Sequence, residues 1–436
     1  MKKTDTKILS DATTRATFLG ASAAFGAAAM IGVPAIARAE DAVIRPFQVG
    51  FADADLVDLR RRVNAMKWPD RETVPDASQG VQLATIQELA RYWVTDYDWR
   101  ACEARLNALP QFITQIDGLD IHFIHVRSKH VNALPLIVTH GWPGSIIEQL
   151  KIIDPLTNPT AYGASASDAF HLVIPSLPGY GFSAKPASTG WGTDRIARAW
   201  VTLMKRLGYT QFVSQGGDIG AAVSDKMAQQ APQELLGIHV NLPQTLPPDI
   251  EKAIRSGAPP PPSLSAEETR AYGQLRDLYA KHAGYALMMR TRPQTLYALA
   301  DSPIGLAAFM LDHDRRSYEQ ISRLFVDGQP YGEITRNDIL DNITLYWLTN
   351  TATSAARLYW EDPGSILGAV NVSIPAAVSV FPNEIYQAPR SWVERAYHKL
   401  MYYNQPNQGG HFAAWEQPQL FAEEVRAGFR SLRTTA

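Results

Sequence analysis

Short apolar runs alternate with stretches of helical spacing through the middle of the chain. The runs predict strands at residues 121–125, 134–140, 170–175, 212–215 and 237–241. Helical stretches separate them, and one of these ends before Pro232. Strands that alternate with helices predict a mostly parallel sheet covered on both faces. Functional groups in such sheets lie on the turns that follow the strands.

Two further helices are predicted before this alternating region. Apolar residues at helical spacing extend from Asp53 to Met66, and a second helical stretch covers about residues 85–93. We expect Asp53 to be the N-cap of its helix, because a carboxylate there can accept hydrogen bonds from the first free N–H groups. The same reasoning predicts Asp194 as the N-cap of a helix inside the alternating region.

The alternation stops at Pro243. Proline clusters follow, and helical segments without clear strands continue to about residue 345. Strands return at 376–380 and 400–403, before a final helix. The pattern therefore predicts a helical insertion between two strands of one sheet.

The first 39 residues have the pattern of a secretory signal peptide. Lysines lie within the first seven positions, residues 17–37 are uncharged, and small residues surround a cleavage position after Ala39. Residues 14–19 resemble a twin-arginine export signal in which Ala16 replaces the second arginine. We predict export to a bacterial periplasm or out of the cell. The alternatives are a disordered tail and an N-terminal membrane anchor.

Composition and charge exclude several classes of protein. The 436 residues include 41 Lys+Arg and 43 Asp+Glu, so there is no basic excess for nucleic acid to bind. Hydrophobic residues make up 46% and charged residues 19%, which is typical of a globular chain and not of a disordered one. Cys102 is the only cysteine, which excludes an internal disulfide, cysteine-based zinc sites and cysteine-ligated iron–sulfur clusters.

A turn with small residues on both sides of an acid carries the first candidate chemistry. Residues 216–220 read Gly-Gly-Asp-Ile-Gly and lie between a predicted strand and a predicted helix. This spacing is typical of the nucleophile elbow of α/β-hydrolases, with Asp218 in place of the usual serine. From the pattern alone, an ordinary turn in which Asp218 caps the next helix remains an alternative.

Two other segments lie where that fold requires partners for a nucleophile. His140-Gly141-Trp142 follows an earlier strand, so the backbone N–H groups of Trp142 and Ile219 are the predicted oxyanion donors. Gly409-Gly410-His411 follows the last predicted strand, as a late catalytic histidine does in this fold. His411 is therefore the preferred candidate among the ten histidines.

On these and further motifs, the chain resembles the microsomal-type epoxide hydrolases, which include the juvenile-hormone epoxide hydrolases. The resemblance covers nearly all of the chain after the signal segment. The motifs that carry it are Ile44-Arg-Pro-Phe47, Lys67-Trp-Pro-Asp70, His140-Gly-Trp-Pro-Gly-Ser145, Pro178-Gly-Tyr-Gly-Phe-Ser183, Gly217-Asp-Ile-Gly220, Asp301-Ser-Pro-Ile-Gly-Leu-Ala-Ala308, Phe381-Pro-Asn-Glu384 and Gly410-His-Phe-Ala-Ala-Trp-Glu416.

The resemblance implies a domain organisation and a set of catalytic roles. It implies an N-terminal meander region at 40–130, an α/β-hydrolase core at 131–242 and 346–436, and a helical cap at 243–345. Asp218 matches the nucleophile, His411 the general base and Glu384 the acid that orients the histidine. Tyr285 and Tyr359 match the two tyrosines that hold the epoxide oxygen.

The implied reaction converts an epoxide to a vicinal diol through an ester on Asp218, which water activated by His411 and Glu384 then hydrolyses. The implied partners are a small hydrophobic epoxide and water, with no metal, no organic cofactor and no nucleic acid; a homodimer is left open. Two alternatives remain at this point. One is a haloalkane-type dehalogenase with the same aspartate nucleophile, and the other is a catalytically silent hydrolase-fold binding protein.

Overall fold

The computed structural model of the protein describes residues 43–433, apart from 363, 365 and 366. The predicted signal segment, residues 1–39, lies outside the described residues. The described residues all belong to a single unit, so the predicted boundaries between meander, core and cap stay predictions. In the described part of the chain, no helix combines the length and the apolar character needed to cross a bilayer.

Nine strands of the described residues form one sheet in the order β1-β2-β3-β5-β4-β6-β7-β8-β9. In this order, all neighbouring strands from β5 through β4 to β9 pair in parallel. Strands β1, β2 and β3 add an antiparallel edge. Their bounds are β1 Ile44–Pro46, β2 Gln111–Ile116, β3 Leu119–Val126, β4 Leu134–Thr139, β5 Phe170–Pro175, β6 Phe212–Gly216, β7 Leu235–Val240, β8 Val372–Ser379 and β9 Tyr397–Asn404. The prediction of a mostly parallel sheet in an α/β-hydrolase fold is confirmed.

Burial on both faces explains why the central strands read as continuous apolar runs. All residues of β6 are buried, and so are Leu136, Ile137 and Val138 of β4. A central parallel strand is covered by helices on both faces, so consecutive side chains meet the core and no polar alternation is left. In the antiparallel part of the sheet, β2 instead mixes buried and half-buried residues.

The α-helices are the second kind of element in the predicted alternation of strands and helices. Their bounds are α1 Asp53–Asn64, α2 Leu83–Thr95, α3 Trp99–Asn107, α4 Ile153–Thr157, α5 Thr193–Arg206, α6 Ile219–Gln230, α7 Pro248–Arg255, α8 Ala266–Asp277, α9 Gly284–Thr291, α10 Ala298–Asp301, α11 Pro303–Leu311, α12 Arg315–Val326, α13 Arg336–Thr349, α14 Ala352–Glu361, α15 Arg390–Ala396, α16 Ala413–Glu416 and α17 Pro418–Phe429. Each predicted helix has a counterpart among them.

The two predicted N-caps are wrong. Asp53 and Asp194 lie in the first turns of α1 and α5, and Ala52 and Gly192 hold the N-cap positions. Both carboxylates form ion pairs with arginines, Asp53 with Arg100 and Asp194 with Arg198. An acid in the first turn interacts favourably with the helix dipole as well, so the composition of a helix start does not separate a cap from a first-turn acid.

Helices α7 to α14 form the predicted insertion, which lies between β7 and β8. The helical stretch is longer than predicted, since α13 continues past residue 345 and α14 extends it to Glu361. The final helix is shorter than expected from the pattern, because it divides into α16 and α17 at Gln417. Pro418 explains that break, since a residue before proline is disfavoured in the helical region.

Candidate active site

Asp218 lies on a sharp turn between β6 and α6. Its backbone has φ 50° and ψ −126°, a conformation that a residue with a side chain adopts only at a cost of about 1–3 kcal/mol. The turn needs small residues on both sides, because a Cβ on Gly216 would lie 2.0 Å from the Gly220 carbonyl oxygen. The Asp218 side chain makes no capping hydrogen bond to α6, which argues against the alternative of an ordinary helix cap.

One oxygen of the Asp218 carboxylate lies in a backbone cradle after β4. The Trp142 N–H donates to Asp218 Oδ1 with an N···O distance of 2.9 Å. A Cβ on Gly141 would come within 2.3 Å of the same oxygen, so this approach requires glycine. Ile219, the other predicted oxyanion donor, begins α6, where the first N–H groups have no partner within the helix. Oδ2 is therefore the oxygen left to react.

His411 lies between two carboxylates. Its Nδ1 is 2.6 Å from Glu384 Oε1, and its Nε2 is 3.7 Å from Asp218 Oδ2. Burial disfavours the imidazolium, but the hydrogen bond and charge of Glu384 and the charges of Asp218 and Asp314 raise the pKa of His411 to about 10. The arrangement fixes the His411 tautomer with Nδ1–H toward Glu384 and directs Nε2 to the nucleophile.

Two strand-end loops position this pair. Glu384 follows β8 and His411 follows β9, which are neighbours in the sheet. A backbone hydrogen bond of 3.1 Å from the Asn383 N–H to the Gly409 carbonyl joins the two loops directly beside the side chains. A carboxylate and a histidine far apart in the chain therefore meet because parallel strands end at the same edge.

Tyr285 and Tyr359 come from the inserted helices α9 and α14. Their rings are T-shaped to each other with centroids 6.3 Å apart, and both side chains are buried. Burial and the negative charge of Asp218 hold the pKa of Tyr285 well above its ordinary value. Burial, Tyr285 and Asp218 do the same for the pKa of Tyr359. Both phenols therefore keep their protons and can act as hydrogen-bond donors.

The two tyrosines and Asp218 line one cavity of about 940 Å³. Much of its wall is apolar, including Leu242 and Ile254, and basic side chains such as Arg290 also lie along it. A cavity of this size accepts a drug-sized ligand. The five residues predicted as catalytic are thus brought together, the nucleophile and tyrosines in one cavity and the His411–Glu384 pair behind the nucleophile.

Sequence reasoning missed a second histidine in the site. His313 follows α11, is 2% exposed, and places Nε2 3.9 Å from Asp218 Oδ2. Its Nδ1 is 3.4 Å from Asp314 Oδ2, and its ring centroid is 4.6 Å from that of His411. Burial raises the pKa of Asp314, but the hydrogen bond and charge of His313 and the charge of His411 outweigh it and hold that pKa below its ordinary value.

Three of these side chains also form a geometric candidate for metal binding. In the described part of the chain, ligand atoms of Asp218, His313 and His411 lie within 4.8 Å of one another. Imidazole and carboxylate ligands suit transition metals such as zinc. An ion bound there would occupy the free oxygen of Asp218, so it would compete with the use of this carboxylate as a nucleophile.

The chain is similar to known proteins in sequence and in fold. The model of the epoxide hydrolase N terminus matches residues 44–149, and that of the alpha/beta hydrolase fold matches residues 135–272. A relative from Stigmatella aurantiaca, provisionally named an epoxide hydrolase, is 51% identical over 89% of this chain and 86% of its own length. Epoxide hydrolase 1 of Sus scrofa is 35% identical over 89% of each chain. The crystal structure of juvenile hormone epoxide hydrolase from Bombyx mori superposes with a TM-score of 0.79 at 30% identity, covering 92% of this chain and 98% of that one.

Proposed function

We propose how this chain, which belongs to the epoxide hydrolase family, converts an epoxide into a vicinal diol. The observation that carries the mechanism is the asymmetry of the Asp218 carboxylate. Oδ1 accepts the Trp142 N–H, whereas Oδ2 faces His411 without a short hydrogen bond. One oxygen is thus held as a carbonyl oxygen and the other is free to attack.

In the first step, Asp218 Oδ2 attacks an epoxide carbon and the carbon–oxygen bond of the ring breaks. The released oxygen takes a proton from Tyr285 or Tyr359, since an unprotonated alkoxide is a poor leaving group. The product is an ester between the substrate and Asp218. The high pKa of both phenols supports this role, because a tyrosine that stays protonated in the free enzyme has a proton to donate.

In the second step, water loses a proton to His411 Nε2 and its oxygen adds to the Asp218 carboxyl carbon. Negative charge develops on Oδ1, where the N–H groups of Trp142 and Ile219 stabilise it. When the intermediate collapses, Oδ2 leaves with the substrate and takes a proton, and the remaining water proton returns to the tyrosine. Glu384 stabilises the His411 cation meanwhile.

Formation of the ester also prepares the base for this step. Three carboxylates raise the pKa of His411 in the free enzyme, and one of them is Asp218. The ester is neutral, so that contribution disappears and the pKa of His411 falls. The imidazole is then more readily neutral when a base is required.

The dehalogenase alternative gains no support from the comparisons or the site. A dehalogenase needs donors for a halide ion, whereas here two buried tyrosines that can hold an epoxide oxygen line the same cavity as the nucleophile. A silent binding protein is not favoured either, because the relatives are named for epoxide hydrolysis and the reacting groups lie within reach of one another.

The substrate we propose is a small hydrophobic epoxide. The partly apolar wall of the 940 Å³ cavity supports this class, and much of that wall comes from the helices between β7 and β8. We assign residues 243–345 to a cap that closes over the substrate. Water is the second reactant, and the reaction as written uses no metal or organic cofactor.

We further propose that the protein is exported and that its first 39 residues are removed. The lysines at the start, the uncharged stretch at 17–37 and the small residues before Glu40 support this proposal. N-terminal sequencing of protein from the culture medium or periplasm tests it. A mature chain that begins at Glu40 is the expected result, and an uncleaved chain in the membrane fraction would favour an anchor.

A single turnover in ¹⁸O-water with enzyme in excess tests the mechanism. The label is expected in the Asp218 carboxylate after the first turnover, because the new diol oxygen comes from that side chain. Peptide mass spectrometry locates it. Label in the diol of the first turnover would show direct attack by water and contradict the ester mechanism.

A further inference from the structure

Asp218 also borders a second, much smaller cavity. That cavity has a volume of about 20 Å³, and its wall includes Glu148, His411 and Asp218. A space of this size holds one water molecule. Among the described residues, Asp218 is the one shared by the walls of both cavities. The nucleophile therefore separates a substrate-sized space from a water-sized one.

The small cavity is lined by residues whose polar atoms are not otherwise satisfied. Within the part of the chain that the structure describes, Trp142 Nε1, Gln149 Oε1 and Trp415 Nε1 are buried without a hydrogen-bond partner, and all three residues line the cavity. Buried polar groups are normally paired with protein or with ordered water. Three such residues around a space the size of one water molecule indicate a binding site for an ordered water.

Glu148 adds a carboxylate to that wall. One of its oxygens accepts a hydrogen bond of 2.6 Å from Gln149 Nε2. The other lies over Gly144, within 1.6 Å of where a Cβ on that glycine would be, so the absence of a side chain at 144 makes room for the carboxylate. Burial, with a smaller contribution from the Asp218 charge, raises the pKa of Glu148 to about 8, while the His411 charge opposes the rise.

We propose that this cavity binds the water that hydrolyses the ester, and that Glu148 positions it. The water gives one proton to His411 Nε2, directs the other toward the Glu148 carboxylate, and points its oxygen at the Asp218 carboxyl carbon. Water then attacks from the side opposite the substrate, so both reactants reach Asp218 without displacing each other. This proposal rests on the ester mechanism proposed above, and Glu148 is a positioning residue in it.

Glu148→Gln tests the proposal in the full-length enzyme at about pH 9, where a pKa of about 8 leaves the Glu148 carboxylate ionised. Gln149 Nε2 requires an acceptor, so the new amide oxygen stays with Gln149 and the amide NH₂ takes the other position, where it donates instead of accepting. The water is then misoriented. Quenched-flow mass spectrometry on the Asp218 peptide is expected to show ester formation at the wild-type rate and ester hydrolysis 10- to 100-fold slower, so that the ester accumulates.

Two controls keep the result specific. Glu424→Gln makes the same change at a buried carboxylate that contacts Ser379 and Asn404 and lines neither cavity, and both rates are expected to stay at wild-type values. Glu148→Asp keeps the charge and is expected to hydrolyse the ester faster than Glu148→Gln. It also serves as the test variant if Glu148→Gln does not fold, because the shorter side chain should still slow ester hydrolysis without slowing ester formation.

The outcomes separate this proposal from the mechanism beneath it. Hydrolysis at the wild-type rate in Glu148→Gln, or an equal slowing of ester formation and hydrolysis, overturns the water site. If no variant, including His411→Ala, ever carries an ester on Asp218, the ester mechanism itself is wrong.

Discussion

Two histidine–carboxylate pairs from different regions of the molecule meet at one oxygen of Asp218. His411 and Glu384 come from loops at the ends of neighbouring strands, whereas His313 and Asp314 come from the inserted helices. Their Nε2 atoms lie 3.7 and 3.9 Å from Asp218 Oδ2, almost the same distance. Proximity to the nucleophile therefore does not decide which imidazole is the base.

The partners and surroundings of the two rings differ. His411 is 2.6 Å from its carboxylate and lines the water-sized cavity. His313 is 3.4 Å from Asp314 and lies outside the residues that line that cavity. In this site, a general base needs both access to water and a firmly held tautomer. On both counts we propose His411 as the base and His313 as a packing residue, since its ring contacts those of His411 and Tyr285.

The largest effect is expected for His411→Ala. Removing the base leaves ester formation intact but slows its hydrolysis by about 10⁴-fold, the upper range for general acid–base catalysis. Intact-protein mass spectrometry should therefore find a stable adduct of enzyme plus epoxide, located on Asp218. If His411→Ala turned over at the wild-type rate and a His313 variant trapped the adduct, His313 would be the base and His411 would not.

Glu384→Gln should slow hydrolysis less, by about 10²-fold, the lower end of the range for general acid–base catalysis. The amide keeps the shape of the side chain but no longer stabilises the imidazolium or imposes one tautomer on His411. Stopped-flow measurement of ester decay gives the rate. Asp314→Asn is the matched control in the other pair, and there we expect less than about a threefold change. A comparable loss in both variants would mean that the pairs act together.

The pH dependence of ester hydrolysis should distinguish the pairs next. The base must be neutral, so the rate rises with pH up to the pKa of His411 and levels off above it. We expect the midpoint in wild-type enzyme below the value of about 10 for the free enzyme, because the ester has no Asp218 charge. Glu384→Gln removes the carboxylate that most raises this pKa, which moves the midpoint to lower pH by about 1–3 pH units. An unchanged midpoint would show that another group titrates.

The comparison also explains what the sequence could predict. Asp218, Trp142 and His411 follow strands, and parallel strands end at one edge, so motif and strand pattern together predict that these residues meet. Glu384 also follows a strand, but its role is assigned through the family resemblance. Tyr285 and Tyr359 lie on helices of the insertion and were assigned through the family resemblance, because no pattern in the chain separates them from other tyrosines.

Glu148 and His313 were missed for a physical reason. Their nearness to Asp218 arises from tertiary packing of segments that carry no chemical motif, one after the oxyanion loop and one after α11. The acidic neighbours Asp312 and Asp314 around His313 were the available signal, since a buried histidine with an adjacent acid is a candidate for a site. The two predicted N-caps are wrong because an N-cap carboxylate and a first-turn carboxylate paired with arginine have the same sequence pattern.

The smallest change in rate is expected for His313→Phe. The phenyl ring keeps the packing against Tyr285 and His411, so ester hydrolysis should change less than about threefold. The cost appears in stability instead. One oxygen of Asp314 then stays buried without a partner, and leaving a buried polar atom unpaired costs about 1–3 kcal/mol of the free energy of unfolding, measured by urea denaturation.

Adding Asp314→Asn to His313→Phe should recover part of that loss. The amide carries no charge and keeps the oxygen that accepts the Ser317 N–H, so the cap of α12 survives. A double-mutant cycle on the unfolding free energies isolates the coupling between the two side chains. If His313→Phe were as stable as wild type but failed to hydrolyse the ester, His313 would have to act on the reacting atoms, and the distinction between the two imidazoles drawn from the water-sized cavity would not hold.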